Sequence, residues 1–302
     1  VRTLLPPGVW WNRDANGVDA GVTRMTLKLG ILENWFDGEP VVPGKTLADR
    51  LASLEAAGYD GIQLSAVSHR EGAEAVKAAL ANSSVRLLIA GRHGRILAGD
   101  PETRAQAVED ISAGLHEAAE AGAVGSILVP IRTQPEISAP NPPSFGVQPM
   151  KTLVDLELEI LVEQLAKIAP AAEAAGVPVI LEPLNRYETH LIKSLDDAAE
   201  ICRAVGSPGI KMMGDFFHMN LEDDDMEAAI ERNADCLAYI HLADSGRYQP
   251  GTGHLDFKPG FRALKRIGYD GYMTMECKIK GEPSVEALKE TAEYINAEWD
   301  AA

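Results

Sequence analysis

Cysteine is scarce in this 302-residue sequence, and positive charge is outnumbered. Three cysteines, Cys202, Cys236 and Cys277, stand without a metal or redox spacing. So odd and sparse a set fits a reducing compartment, with each thiol packed as a small buried hydrophobe. Lys and Arg total 28 against 45 Asp and Glu, a formal net charge of −17. A surface that acidic repels phosphate backbones and anionic membranes, so nucleic acid and membrane are not expected as partners. No apolar run approaches the roughly 20 residues that span a bilayer. The opening VRTLLPPGVWWNRDANGVDA has no positive region followed by an apolar core, so a secretory signal is not expected and a cytoplasmic location is. A glycine-rich phosphate turn is also missing after the first strand, where LGILENWF stands. That argues against an open, doubly wound sheet.

Apolar residues, by contrast, make up 46% of the chain and fall in short runs. Four runs in the second half close on a chemically active side chain. VPVILEPLNR carries Glu182, IKMMGDFFH carries Asp215 and His218, LAYIHLADS carries His241, and YDGYMTMEC carries Glu276. Each is β-branched or long aliphatic and leads into a polar, turn-rich segment, the pattern of a strand buried on both faces of a parallel sheet. Helical signals lie between the strands. TLADRLASLEAAG sets Leu47, Leu51 and Leu54 on one face and ends at Gly58. Asp100 and Pro101 make an N-cap and first-turn pair, a long helix from Leu153 to Ala175 stops at Gly176, and Ser194 with Asp197 forms a capping box. Eight strands alternating with eight helices over about 250 residues predict a closed (β/α)8 TIM barrel. Residues 1–24, with Trp10 and Trp11 and no periodicity, are expected to form an extension, and 25–302 a single barrel domain. The proline-rich loop of about twenty residues, RTQPEISAPNPPSFGVQPMKT, is expected to serve as a lid or an interface element.

Reactive groups in a barrel gather at the C-terminal ends of its strands, which is where Glu182, Asp215, His241 and Glu276 fall. Two like charges about 4 Å apart repel by roughly 4 kcal/mol at an effective dielectric near 20, and a divalent cation removes that penalty. Three hard oxygen donors and an imidazole, with no thiolate, suit Mn2+, Mg2+ or Co2+ better than a closed structural zinc site. Open coordination positions would leave room for two substrate oxygens. Taken singly, each residue has a plainer reading: Glu182 as a strand-end cap, Asp215 as a helix cap, His241 as a satisfied core histidine. Their joint placement points to a metal.

EPLNRYETH, GDFFHMN, HLADSGR followed by PGTGHLDF, and IGYDGYMTMEC resemble the sugar isomerase and epimerase barrels related to xylose isomerase, most closely the D-tagatose/D-psicose 3-epimerase group. The resemblance implies that Glu182, Asp215, His241 and Glu276 hold a divalent metal, Mn2+ foremost, and that Glu182 and Glu276 are the catalytic acid/base pair. It implies that Glu188, His218 and Arg247 contact a small sugar substrate. The activity implied is C3 epimerisation of a ketose through a cis-enediolate, in a homodimer or homotetramer. Trp35 and Phe36, after the first strand, are candidates for an apolar wall against the sugar or a plug at the barrel mouth. Gly214 and Cys277 depart from the family, which often has a longer polar residue before the ligand Asp and a Pro after the last Glu, and this bears on substrate range. His69, His93 and His254 are expected in hydrogen-bonding or solvent roles, and the acidic run Glu222 to Asp225 as a solvated helix start. An aldose/ketose isomerase, a keto-cyclitol or dehydroshikimate-type dehydratase and a non-catalytic sugar binder are the alternatives on this barrel. The abasic-site endonuclease of related fold is disfavoured, because the fourth strand ends Pro130, Ile131, Arg132 and no Asp-x-His pair follows the seventh.

Overall fold

The computed structural model describes residues 27–64, 73–132 and 151–302. The expected extension at 1–24, the boundary at Met25, His69 and most of the proline-rich loop lie outside the described residues. Eight parallel strands make one sheet: β1 (Lys28–Leu32), β2 (Gly61–Gln63), β3 (Arg86–Ile89), β4 (Ser126–Leu128), β5 (Val179–Leu181), β6 (Ile210–Asp215), β7 (Leu237–Leu242) and β8 (Tyr272–Met275). Their order is β3-β2-β1-β8-β7-β6-β5-β4. Between the two end strands, Ile89 and Gly125 form a parallel bridge, and the Val124 N–H donates to the Leu88 carbonyl at 2.8 Å. The sheet thus curls into the nearly closed TIM barrel that the alternation predicts.

The helices start and stop where local chemistry says they should. In α1 (Leu47–Ala57), Thr46 and Asp49 close a capping box, Gly58 ends the helix at φ 82°, and Leu47, Leu51 and Leu54 are buried. Asp100 caps α3 (Pro101–Glu120), following α2 (Ala73–Ala81). Thr152 with Asp155 caps α4 (Leu153–Ala175), and Ser194 with Asp197 caps α5 (Leu195–Val205). One connection differs from expectation. Two short helices, α6 (Phe216–Glu222) and α7 (Met226–Arg232), stand between β6 and β7, where the strand–helix alternation predicts one. Asp215 starts the first by accepting the Phe217 N–H at 2.9 Å, so the segment after the strand coils at once. α8 (Lys258–Arg266) and α9 (Val285–Ala301) complete the ring.

The acidic run at this connection is corrected by the structure. Asp225 does cap α7, accepting the Ala228 N–H at 3.0 Å. Glu222 is instead nearly buried, its side chain 7% exposed and paired with Arg186, and one Asp223 oxygen is buried without a hydrogen-bond partner. Ending α6 at Glu222 folds that residue back onto Arg186, while Asp224 and Asp225 stay exposed as a helix start should.

Inside the barrel, Leu88, Ile180, Met213 and Tyr239 pack together, and the Tyr239 hydroxyl meets Thr274 Oγ1 at 2.5 Å. A Cβ on Gly30 would collide with Leu88 and Thr274, so the interior is filled and forms a floor beneath the strand ends. All three cysteines are free and buried. No described helix is long and apolar enough to cross a membrane.

Candidate metal centre

Glu182 follows β5, Asp215 ends β6, His241 lies in β7 and Glu276 follows β8. Ladder hydrogen bonds fix where they emerge: Asp215 is in register with His241, the Glu182 N–H donates to Leu128 O at 3.2 Å, and the Glu276 N–H donates to Leu242 O at 3.1 Å. One ligand atom from each of the four lies within 4.8 Å of all the others. All four residues are buried.

The imidazole is the most informative member of the cluster. His241 Nε2 lies 3.0 Å from Gln63 Oε1; since that oxygen only accepts, Nε2 carries the proton. Nδ1 then faces Glu182 Oε1 at 3.6 Å, Asp215 Oδ2 at 3.8 Å and Glu276 Oε2 at 3.5 Å. It is buried and has no hydrogen-bond partner. A buried, orphaned nitrogen aimed among three carboxylate oxygens is an arrangement that a divalent cation satisfies. These four residues fit such an ion.

The electrostatics follow from burial set against neighbours. Burial works against the Asp215 charge, yet Arg247 first, then His218 and His241, hold its carboxyl far below the usual carboxylate range. Glu182 is buried too, but His241 outweighs that and lowers it. In Glu276 burial prevails over His241 and Arg247, aided by Glu182 and Asp215, and its carboxyl is raised. The two glutamates are therefore driven in opposite directions. Burial lowers the His241 value, but Glu276, Asp215 and Glu182 together raise it to about 10, a measure of the negative potential in the cluster.

Arg247 reaches into the same centre. Its Nη1 meets Asp215 Oδ2 at 2.6 Å and its Nη2 pairs with Glu276. The guanidinium lies over the Phe217 ring at 4.6 Å and the Trp35 ring at 5.9 Å. Its backbone takes φ 59°, a left-handed conformation uncommon for a side-chain-bearing residue. The surrounding turn enforces it: the Arg247 N–H donates to Asp244 O at 2.8 Å, and its carbonyl accepts the Lys278 N–H at 3.0 Å. Asp244 in turn accepts the N–H groups of Ser245, Gly251 and Leu255, which ties down the whole loop after β7.

His218 Nε2 points at Asp215 Oδ2 from 3.7 Å. Its Nδ1 accepts the Asn185 backbone N–H at 3.2 Å and lies 2.8 Å from Asn185 Nδ2, so its proton sits on Nε2, towards the centre. Glu188 stands one step out, bound to Asn185 Nδ2 at 3.0 Å and to Arg132 at 2.8 Å. Trp35 packs on Phe36 at 4.8 Å between centroids; Phe36 itself is 62% exposed. His218 and Arg247 thus reach the carboxylates directly, whereas Glu188 and Trp35 connect through Asn185 and Arg247. His254 Nδ1 hydrogen-bonds Ser245 Oγ at 3.0 Å. Sequence reasoning passed over Gln63, Asn185 and Asp244. Asn185 lies within the EPLNRYETH motif, one signal that could have found it.

Comparison with known proteins agrees with this architecture. Residues 51–298 match the family model described as "Xylose isomerase-like TIM barrel". The chain is 30% identical over 255 residues, 83% of its length and 94% of the other's, to the 3-dehydro-D-guloside 4-epimerase of Escherichia coli. It is 38% identical over 112 residues to the ketose 3-epimerase of Arthrobacter globiformis, a match that spans 39% of that protein. Among solved structures it is similar to the 3-keto-D-glucoside 4-epimerase from E. coli, with TM-score 0.76 and 28% identity over 90% of this chain and all of that one. The chain belongs to the xylose isomerase-like TIM barrel family.

Proposed function

We propose that this chain is a divalent-metal-dependent epimerase of a keto sugar, inverting the carbinol carbon next to the ketone. The isomerase class rests on relatives named as sugar epimerases and isomerases. The observation that carries the chemistry is the entry of Glu182 and Glu276 into one buried cluster from β5 and β8, strands separated by two others in the sheet. One carboxylate removes the proton beside the carbonyl; the other returns a proton to the opposite face of the planar cis-enediolate, and the configuration inverts. His218, through its Nε2 proton, and the Arg247 guanidinium are placed to hold and polarise substrate oxygens. Glu188 and Trp35 would act further out, as a hydroxyl contact and an apolar wall. The filled interior below keeps bulk water from entering through the barrel. A cation held by Glu182, Asp215, His241 and Glu276, with Mn2+ the preferred candidate, supplies Lewis-acid stabilisation of the negative charge that develops on the substrate oxygens.

Two substrate classes present the same reacting unit. In a free ketose the ketone is C2 and C3 inverts; in a glycoside oxidised at C3, C4 inverts. Near full-length similarity to a 3-dehydro-D-guloside 4-epimerase supports the second class, whereas the ketose 3-epimerase match is confined to part of the chain. The test is hydrogen exchange in deuterated water with Mn2+, using ketopentoses, ketohexoses and 3-keto-glycosides and reading each product by mass spectrometry. One deuteron on the carbon beside the ketone, with inversion, is expected for one class. Glu182→Gln and Glu276→Gln should each slow exchange by about 10²–10⁴-fold. Formation of an aldose or loss of water would replace epimerisation with isomerisation or dehydration, and absence of exchange across the panel would overturn the proposal.

A further inference from the structure

The far end of the barrel, where the strands begin, opens into a separate hollow of about 260 Å3, whose walls include Lys28, Arg86, Ile180, Lys211, Leu237 and Tyr272. Strand periodicity explains why three cations point there. Lys211, Met213 and Asp215 share one face of β6, so Lys211 points into the barrel below the candidate metal ligand. Lys28 stands two residues before Gly30 and Arg86 two before Leu88, and those two positions face each other in the interior. Leu88, Met213, Tyr239 and Thr274, all 0% exposed, separate the hollow from the carboxylates above.

These three cations share one hollow, and none of them has an anionic partner among the described residues. Elsewhere Arg203 pairs with Asp235, Arg232 with Asp196, and Arg266 with Glu227 and Glu231. Lys28 Nζ donates instead to the backbone carbonyl of Asp270 at 2.6 Å, and Lys211 Nζ to that of Asp235 at 2.9 Å. Neither carbonyl cancels a charge. The Arg86 guanidinium forms no hydrogen bond or ion pair with a described residue. Of the acidic side chains around this end, Asp235 is engaged by Arg203 through both oxygens, at 3.2 and 2.7 Å, and Asp60 accepts the Leu29 N–H at 2.8 Å; Asp270 lines the hollow as well. In a chain of net charge −17, three cations are gathered here between apolar and aromatic walls.

We propose that this hollow binds a phosphate group, free or carried on a small metabolite, gripped by Lys28, Arg86 and Lys211. A guanidinium fork flanked by two ammonium groups matches the oxygens of a phosphate dianion, and the Tyr272 ring offers a surface to whatever organic part the phosphate carries. The site is independent of the epimerase reading. Titration calorimetry of the intact protein at low salt, with inorganic phosphate and separately with a hexose monophosphate, tests it. Saturable binding is expected, weakened about tenfold by Arg86→Gln and again by Lys211→Gln, with unchanged circular dichroism and unchanged sugar turnover. Tighter binding of the hexose monophosphate assigns the site to a phosphorylated metabolite; equal binding assigns it to phosphate itself. Affinity unaltered in both variants would place the anion elsewhere and overturn the proposal, as would the lack of saturable binding by either probe.

Discussion

Gln63 decides what His241 can do. By accepting the Nε2 proton at 3.0 Å, it leaves Nδ1 as the atom that faces Glu182, Asp215 and Glu276. Both side chains are buried, so no water stands ready to replace the lost partner. Gln63→Leu, close in volume, should therefore weaken Mn2+ binding about 10–100-fold, the usual cost of losing a partner that orients a metal-binding histidine. Calorimetric titration of chelator-treated protein measures this, and Gln63→Glu, which keeps an acceptor, should recover part of the loss. Wild-type affinity in the leucine variant would mean that His241 is oriented by packing alone. The contrast with the four cluster residues shows what a sequence carries. Glu182, Asp215, His241 and Glu276 were legible because each interrupts an apolar run at the same strand end. A glutamine at the end of GIQ looks like any surface amide, and its partner is 178 residues away in the chain. Only the register of the closed sheet joins them.

At the level of elements, the connection from β6 to β7 holds a pH-sensitive contact. Asp223 stands where α6 ends, with one oxygen buried and unpaired. Burial pushes its carboxyl from the ordinary 3.8 up to about 7, with Asp196 and Asp197 adding to the effect and the Leu195 N–H and Arg232 opposing it. Because the folded-state value lies above the unfolded one, the folded protein holds this proton more tightly. The stability gained is complete below pH 3.8 and is lost as the pH rises through about 7. Asp223→Asn should therefore be more stable than wild type at pH 8, by roughly 1–2 kcal/mol or a few degrees in Tm, with the gap narrowing towards pH 4. Thermal unfolding across that range checks it; a gap that stays constant with pH would show that Asp223 titrates normally. The sequence did not disclose this element. FFHMNLE is seven residues long, too short for a helical period to stand out, and four consecutive acidic residues read as solvated until α6 turns two of them inward.

The whole molecule places three carboxylates at one end of a filled barrel, and that concentration of charge bears on its stability. Without a cation, Arg247 bridges Asp215 and Glu276, His241 sits among all three carboxylates, and His218 faces Asp215. Burying like charges this close opposes folding. A cation bound only by the folded state must therefore stabilise the protein in proportion to how tightly the cluster holds it. At a free concentration about 100 times its dissociation constant, the gain is about 2.7 kcal/mol, or roughly 5–10 °C in Tm for a chain of this size. Chelator-treated protein titrated with Mn2+, Mg2+ and Co2+ and followed by thermal unfolding should show this rise, and the size of each shift ranks the metals. Glu276→Gln removes a ligand as well as repulsion, so this cation-free variant should melt no lower than wild type while responding far less to metal; Asp215→Asn also gives up the buried pair with Arg247, so it should melt lower and respond less as well. Equal responses in wild type and variants would locate cation binding on other carboxylates of this acidic chain, which has 45 Asp and Glu in all, and would leave the cluster as a purely structural network held by Arg247.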